Sequence, residues 1–256
     1  MGGNLVLSTA TLLGFLLTLA RVAGVFVFVP MPGIANVINP ARVLLALSIT
    51  IALFPQWPHI ATYPSAGLLA MWIMVEAALG IGIGLAVAFV TETFAVGAQI
   101  MGLQAGYGFA STIDPNTQAD SSILVILSQI FASLLFFATG LDREVLRIFA
   151  RSLETYPAGS FVLARGAATQ VLMAGSTMFS TGLRLALPMV AVMVMIDISL
   201  ALLGRINAQL HLLTVAFPVK MLVCLAMLGW LALLFPVLYR AQSATALSLA
   251  RGLIAH

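Results

Sequence analysis

The residues with the most capacity for chemistry in this chain are charges set into apolar runs. Arg21, Glu76, Glu92, Arg184, Asp197, Arg205 and Lys220 each stand inside, or at an end of, a long hydrophobic stretch. An ionised side chain at the centre of a membrane helix costs roughly 2.5–3.5 kcal/mol on insertion scales. Placed together in lipid at mid-depth, these residues would cost on the order of 20 kcal/mol. Most must therefore face protein, water or a membrane interface. Two uses follow. They form a proton or ion pathway, or they form interhelical ion pairs that fix packing, since both signs are present and can neutralise each other. Asp197, in MVMIDISLALLGR, and Glu76, in MWIMVEAALGIGIG, read equally as proton-carrying carboxylates or as buried partners of Arg184 or Arg21.

Other chemistry is missing from the sequence. His59, His211 and His256 are far apart in the chain and far from Cys224, which is the single cysteine. No HExxH, CxxC or similar ligand spacing occurs, nor a P-loop or a G-x-S-x-G elbow. The GIGIG run around Gly82 lacks the strand–turn–helix setting of a dinucleotide site. No catalytic, cofactor or metal site is expected, and an intramembrane enzyme would need convergent polar groups that cannot be named here.

The elements that must carry these charges are helices in lipid or in a large apolar assembly. Hydrophobic residues make up 62% of the chain and charged residues 7%, against about 25% charged in a soluble domain. Ten of the eleven basic residues are scattered arginines, which argues against a nucleic-acid surface. A spanning helix needs about 20 apolar residues, and by that measure about six segments qualify, which makes this an all-α membrane protein. They are Leu5 to Val29, a short one from Ala41 to Pro55, Gly67 to Met101, Ile123 to Ala138, Ala167 to Leu203, and Leu210 to Tyr239. The first is too long for the apolar core of a signal peptide and reads as a retained span. Trp57 and Tyr63 suit an interface. Gly80, Gly82 and Gly84 would let another helix approach closely. The fifth segment, with Pro188 inside, exceeds a bilayer as one helix, so it must kink, break, fold back as a hairpin or project. No linker divides residues 1–256, which read as a single helical domain.

Two stretches are more polar. Ser111 to Ser122 is a loop by composition, with Asp114-Pro115-Asn116 as a turn signal. Leu141 to Glu154 is a helix pattern with Arg143, Arg147 and Arg151 on one face, a solvated surface that the positive-inside rule would make cytoplasmic. The twelve methionines fill apolar space or line an adaptable surface.

Three stretches together carry a resemblance: LARVAGVFVFVPMPGIANVINPARVLLALSITIALFP (19–55), GLQAGYGFASTIDPNTQADSSILVILSQIFASLLFFATG (102–140) and LALPMVAVMVMIDISLALLGRINAQLHLLTVAFPVKMLV (185–223). In order and spacing they resemble the FliR family of flagellar biosynthetic proteins, and are similar to its counterpart in injectisome type III secretion systems. The middle stretch, with GLQ, GFA and DP in register, is the most specific. Asp197 stands where that family usually has asparagine, Ala208 where proline is usual, His211 near a usual asparagine, and Leu141-Asp142 where a histidine pair is common.

The resemblance implies a core subunit of an export gate in the bacterial inner membrane, within the flagellar basal body and largely raised above the membrane plane. It implies assembly with several copies each of FliP-like and FliQ-like subunits, with an FlhB-like gate protein wrapped around them, and a closed conduit for unfolded export substrates. It also implies that the loop from Gly102 to Ser122 plugs the pore. Gly102, Gly106 and Gly108 would supply flexible backbone, Tyr107, Phe109 and Ile113 an apolar seal that gates by dewetting, and Asp114 and Pro115 the turn. Arg21, Glu76, Asp197, Arg205 and Lys220 would then be buried charges for helix or subunit packing. The residues alone also admit a stand-alone secondary transporter, which shares broken helices and midplane charges.

Overall fold

The structure of the chain, a computed structural model, describes residues 8–30, 40–58, 60, 64–107, 123–157, 159, 166–206 and 212–253. All its regular elements among the described residues are helical: α1 (Thr9–Phe28), α2 (Pro40–Ala52), a 3-10 turn (Phe54–Gln56), α3 (Ala66–Ala105), α4 (Ile123–Ala138), α5 (Leu141–Thr155), α6 (Ala167–Ile206) and α7 (Leu212–Gly252). α1, α3, α6 and α7 are each long and apolar enough to cross a membrane. α2 has 13 residues and is too short; α4 has 16 and meets the criterion only together with α5.

α3, α6 and α7 contain 40, 40 and 41 residues. At 1.5 Å per residue each is about 60 Å long, twice a bilayer core of about 30 Å. α6 is one continuous helix through Pro188, and α7 continues through Pro218 and Pro236. Of the alternatives left open for residues 167–203, neither a break nor a hairpin occurs. α7 also runs well past Tyr239, where falling hydropathy hides a helix that residues such as Ala241, Ala244, Ala246 and Leu247 favour.

The chain divides into two compact units. The first comprises Met1–Phe89, Gly140–Ala174 and Ser243–His256; the second comprises Val90–Thr139 and Gly175–Gln242.

In the first unit α1 packs on α3 through glycines. A Cβ on Gly80 would overlap the Arg21 carbonyl, one on Gly84 would lie 2.6 Å from Val25 O, and one on Gly24 2.6 Å from Ala77 O. Such reciprocal backbone contact is how small residues hold membrane helices together. Gly82 points elsewhere, toward the Leu253 side chain. Ser8 caps α1 by accepting from Thr11 N–H at 3.2 Å. At its other end the carbonyls of Phe26 and Val27 accept from Arg42 Nη1 at 2.7 and 2.6 Å, so a cation from α2 satisfies the last turn of α1. Trp57 Nε1 donates to Thr50 O at 2.9 Å and its ring packs on Phe15 and Phe54, which folds the end of α2 against α1. Tyr63 lies outside the described residues. α5 begins at Gly140, whose φ of +73° suits glycine. It buries Leu141, Val145, Ile148, Phe149 and Leu153, and exposes Arg143, Arg147 and Arg151.

The second unit has an aromatic core. Phe94 packs on Phe235 (4.7 Å between centroids) and Tyr239 (5.8 Å), and Phe131 on Phe235 (5.9 Å). Gly182 brings α6 so close to α3 that a Cβ there would lie 2.9 Å from Thr93 O. The methionines divide between core and surface: Met101, Met189 and Met193 are buried, whereas Met71, Met74 and Met195 are exposed.

Candidate functional site

The expected plug loop leaves the second unit from the end of α3. α3 stays helical through Gly102, which is buried, and stops at Ala105. Gly106 takes a φ of +87°. Its N–H donates to Leu103 O at 3.2 Å and the Tyr107 N–H to Gly102 O at 3.0 Å. That pair of bonds is a Schellman motif, in which a left-handed glycine turns the chain out of the helix while satisfying its last carbonyls. Two expectations change. Gly102 belongs to the helix and not to the loop, because nothing stops α3 before Gly106. Gly106 is a fixed corner and not a flexible point, because both flanking bonds are made.

The corner is held against α7. The Phe217 ring lies over Gly106, so that a Cβ there would meet Cδ1 at 2.9 Å. The Tyr107 hydroxyl donates to Met221 O at 3.2 Å. One turn along, the Cys224 thiol faces Met101 O at 3.8 Å. Residues 217, 221 and 224 recur at helical spacing, so one face of α7 receives the whole stem. Gly108, Phe109, Ile113, Asp114 and Pro115 lie outside the described residues.

Beside this stem, Lys220 of α7 pairs with Asp197 of α6; the lysine side chain is 15% exposed and the aspartate 45%. Asp197 is therefore neither a lone carboxylate nor the partner of Arg184 or Arg21. Arg184, Arg205 and Glu92 are exposed, and none has an ion pair among the described residues. Arg205 is thus not buried by this chain itself.

Among the described residues the fully buried charges lie in the first unit. Arg21 Nε donates to Glu76 Oε2 at 2.5 Å, with the two side chains 0% and 1% exposed. Arg21 Nη1 donates to Ser152 O at 2.8 Å and approaches Ser152 Oγ at 3.3 Å, while Nη2 donates to Tyr156 O at 2.9 Å. Glu76 Oε1 accepts from Gly159 N–H at 2.7 Å. The guanidinium fork thus joins α1, α3 and the end of α5, with both carboxylate oxygens engaged, as a buried pair requires. Of the partners left open for Glu76, the structure selects Arg21. Ser152, Tyr156 and Gly159 carried no sequence signal, because two of them contribute only backbone atoms. On the surface, Glu144 bridges Arg147 (2.6 Å) and Arg251 (3.4 Å), tying α5 to the end of α7.

Among the described residues no group of His, Cys, Asp and Glu could hold a metal ion. The site's chemistry is that of fixing helices. Residues 12–245 match the family described as bacterial export proteins, family 1. The chain belongs to that family. Within the bacterial export proteins, it is similar to the flagellar biosynthetic protein FliR of Escherichia coli K12, 28% identical over 82% of this chain and 81% of that one. It is likewise similar to the flagellar biosynthetic proteins FliR of Pectobacterium carotovorum (28%, covering 77% and 76%) and Bacillus subtilis (24%, covering 84% of each). The chain is a helical membrane protein with a role in protein export.

Proposed function

We propose that this export protein is a core subunit of a flagellar type III export gate, forming with other subunits a closed conduit for unfolded substrates. The observation that carries this is the similarity to flagellar biosynthetic proteins FliR, over about four-fifths of both chains in the Escherichia coli case. In this reading both units of the chain serve one gate domain, set in the bacterial inner membrane within the basal body. The partners are FliP-like and FliQ-like subunits in several copies each and an FlhB-like protein. Helices of 40 and 41 residues, each twice the depth of a bilayer core, support a place in an assembly that stands above the membrane. The cornered stem at Gly106 and Tyr107 supports a plug, since it fixes where the following residues depart. Phe109, two residues beyond, is assigned to the seal; Phe109→Gly should raise ion leak through the assembled gate, and unchanged conductance would remove it from that role.

The test is affinity purification of the tagged chain in mild detergent, with native mass spectrometry. Co-purification of two small apolar helical proteins, several copies of each per copy of this chain, is the expected result. Emergence of the chain alone or as a symmetric homo-oligomer would overturn the reading in favour of a solute transporter.

A further inference from the structure

α6 and α7 form a hairpin in the second unit. Asp197 lies nine residues before the end of α6 and Lys220 eight after the start of α7, so their pairing sets the two helices antiparallel. Little of this hairpin is covered by its own chain. Only 17% of the most apolar window of α6 and 22% of that of α7 is buried, against 44% for α3.

The exposed face changes character along its length. On α6 it begins mixed, with Ser176, Thr177, Ser180 and Arg184 beside the exposed Leu172, Met173, Phe179 and Leu183. It continues as Leu187, Ala191, Val194, Met195, Ile198 and Leu202, and closes at Arg205. Arg184 and Arg205 are 21 residues apart, which is about 32 Å of helix. The apolar interval thus matches a hydrocarbon core of about 30 Å, with an arginine at each edge. α7 repeats the pattern from the other direction. Val219, Leu222, Leu225, Trp230, Leu233 and Val237 are exposed, and then Arg240 ends the apolar face. From the Asp197–Lys220 contact, Arg184 lies about 20 Å along α6 and Arg240 about 30 Å along α7. A tilted hairpin and the reach of an arginine side chain absorb that offset. Asp197 and Lys220 fall within the band as a neutralised pair.

We propose that the hairpin meets lipid with only the half next to its turn, residues 185–204 of α6 and 216–239 of α7. Arg184, Arg205 and Arg240 then lie at headgroup level, and the Ser176–Ser180 face stands outside the hydrocarbon. Acyl chains are the occupant, because the two apolar faces share the bilayer's length and are edged by cations that anionic headgroups attract. This placement does not depend on what the protein exports.

The test uses full-length protein, co-purified with whatever partners accompany it, in a Cys224→Ala background. Single cysteines at Met195, Leu233 and Ser180 carry a bimane fluorophore after reconstitution into liposomes. Brominated acyl chains should quench the labels at 195 and 233 at least twofold and leave the one at 180 unchanged; aqueous iodide should do the reverse. Quenching at 195 and 233 by neither agent would mean that protein covers this face, and quenching there by iodide would mean that water does. Either result overturns the proposal, as does bromolipid quenching at 180.

Discussion

Replacing Arg21 by methionine should destabilise the chain more than replacing Arg21 and Glu76 together. In the single variant the Glu76 carboxylate stays 1% exposed and keeps only the Gly159 N–H as a partner. Opposite unit charges about 3 Å apart attract by roughly 5 kcal/mol at an effective dielectric near 20. Removing one member of a buried pair costs about 3–5 kcal/mol for the same reason. Total stabilities of about 5–15 kcal/mol make that loss severe. In Arg21→Met with Glu76→Leu no charge is stranded. Ser152 O retains the Tyr156 N–H at 3.0 Å. Tyr156 O and the Gly159 N–H each lose a charged partner, for about 1–3 kcal/mol if buried and less here, since both residues are partly exposed. The double variant should therefore recover about 2 kcal/mol or more of the single variant's loss. Thermal unfolding of the purified complex in detergent, with accumulation in membranes as a second readout, measures this. A double variant no more stable than Arg21→Met would refute the reasoning, because the cost would then come from packing and not from an uncompensated charge.

Other consequences can be checked in parallel. Gly106→Ala should reduce export of a reporter substrate several-fold while the complex still assembles; a left-handed alanine costs about 1–2 kcal/mol, and Phe217→Leu should relieve only the steric part. Gly80→Ala should prevent accumulation of the chain, since its Cβ would meet the Arg21 backbone, whereas Gly140→Ala, with open space around its Cβ, should cost only about 1–2 kcal/mol of thermal stability. Asp197→Lys and Lys220→Asp should each impair the assembled complex, and the exchanged pair should restore a substantial part of its thermal stability; no restoration would mean that the ion pair does not hold the hairpin.

Apolar runs read well where punctuation is strong. Ile123 to Ala138 matches α4 at both ends because a polar segment precedes it and Thr139-Gly140 follows it. The continuity of α6 and α7 was less legible, since Pro188, Pro218 and Pro236 are breakers in water but are tolerated in long packed helices. The charges were legible as costly, and pairing as one of their uses, but which partners meet was not. Arg21 and Glu76 are 55 residues apart, and only the glycine contact between α1 and α3 brings them together. Exposure was legible least of all: Arg184 and Arg205 look like Arg21 in a hydropathy scan, yet they lie on the outward face of α6. At Gly106 the residue type was informative but its use was not, because a glycine that frees a chain and one that fixes a corner look alike until the flanking hydrogen bonds are seen.

The corner at Gly106 also sets a leash. Tyr107 is tied to α7, the next described residue is Ile123 at the start of α4, and 15 residues separate them. At about 3.3–3.6 Å per residue the contour between the two anchors is at most about 55 Å, so the plug proposed above, carried out and back on it, would travel no more than about 27 Å. Under the proposed function, a plug so tethered is expected to swing aside for a passing chain and not to be carried off with it.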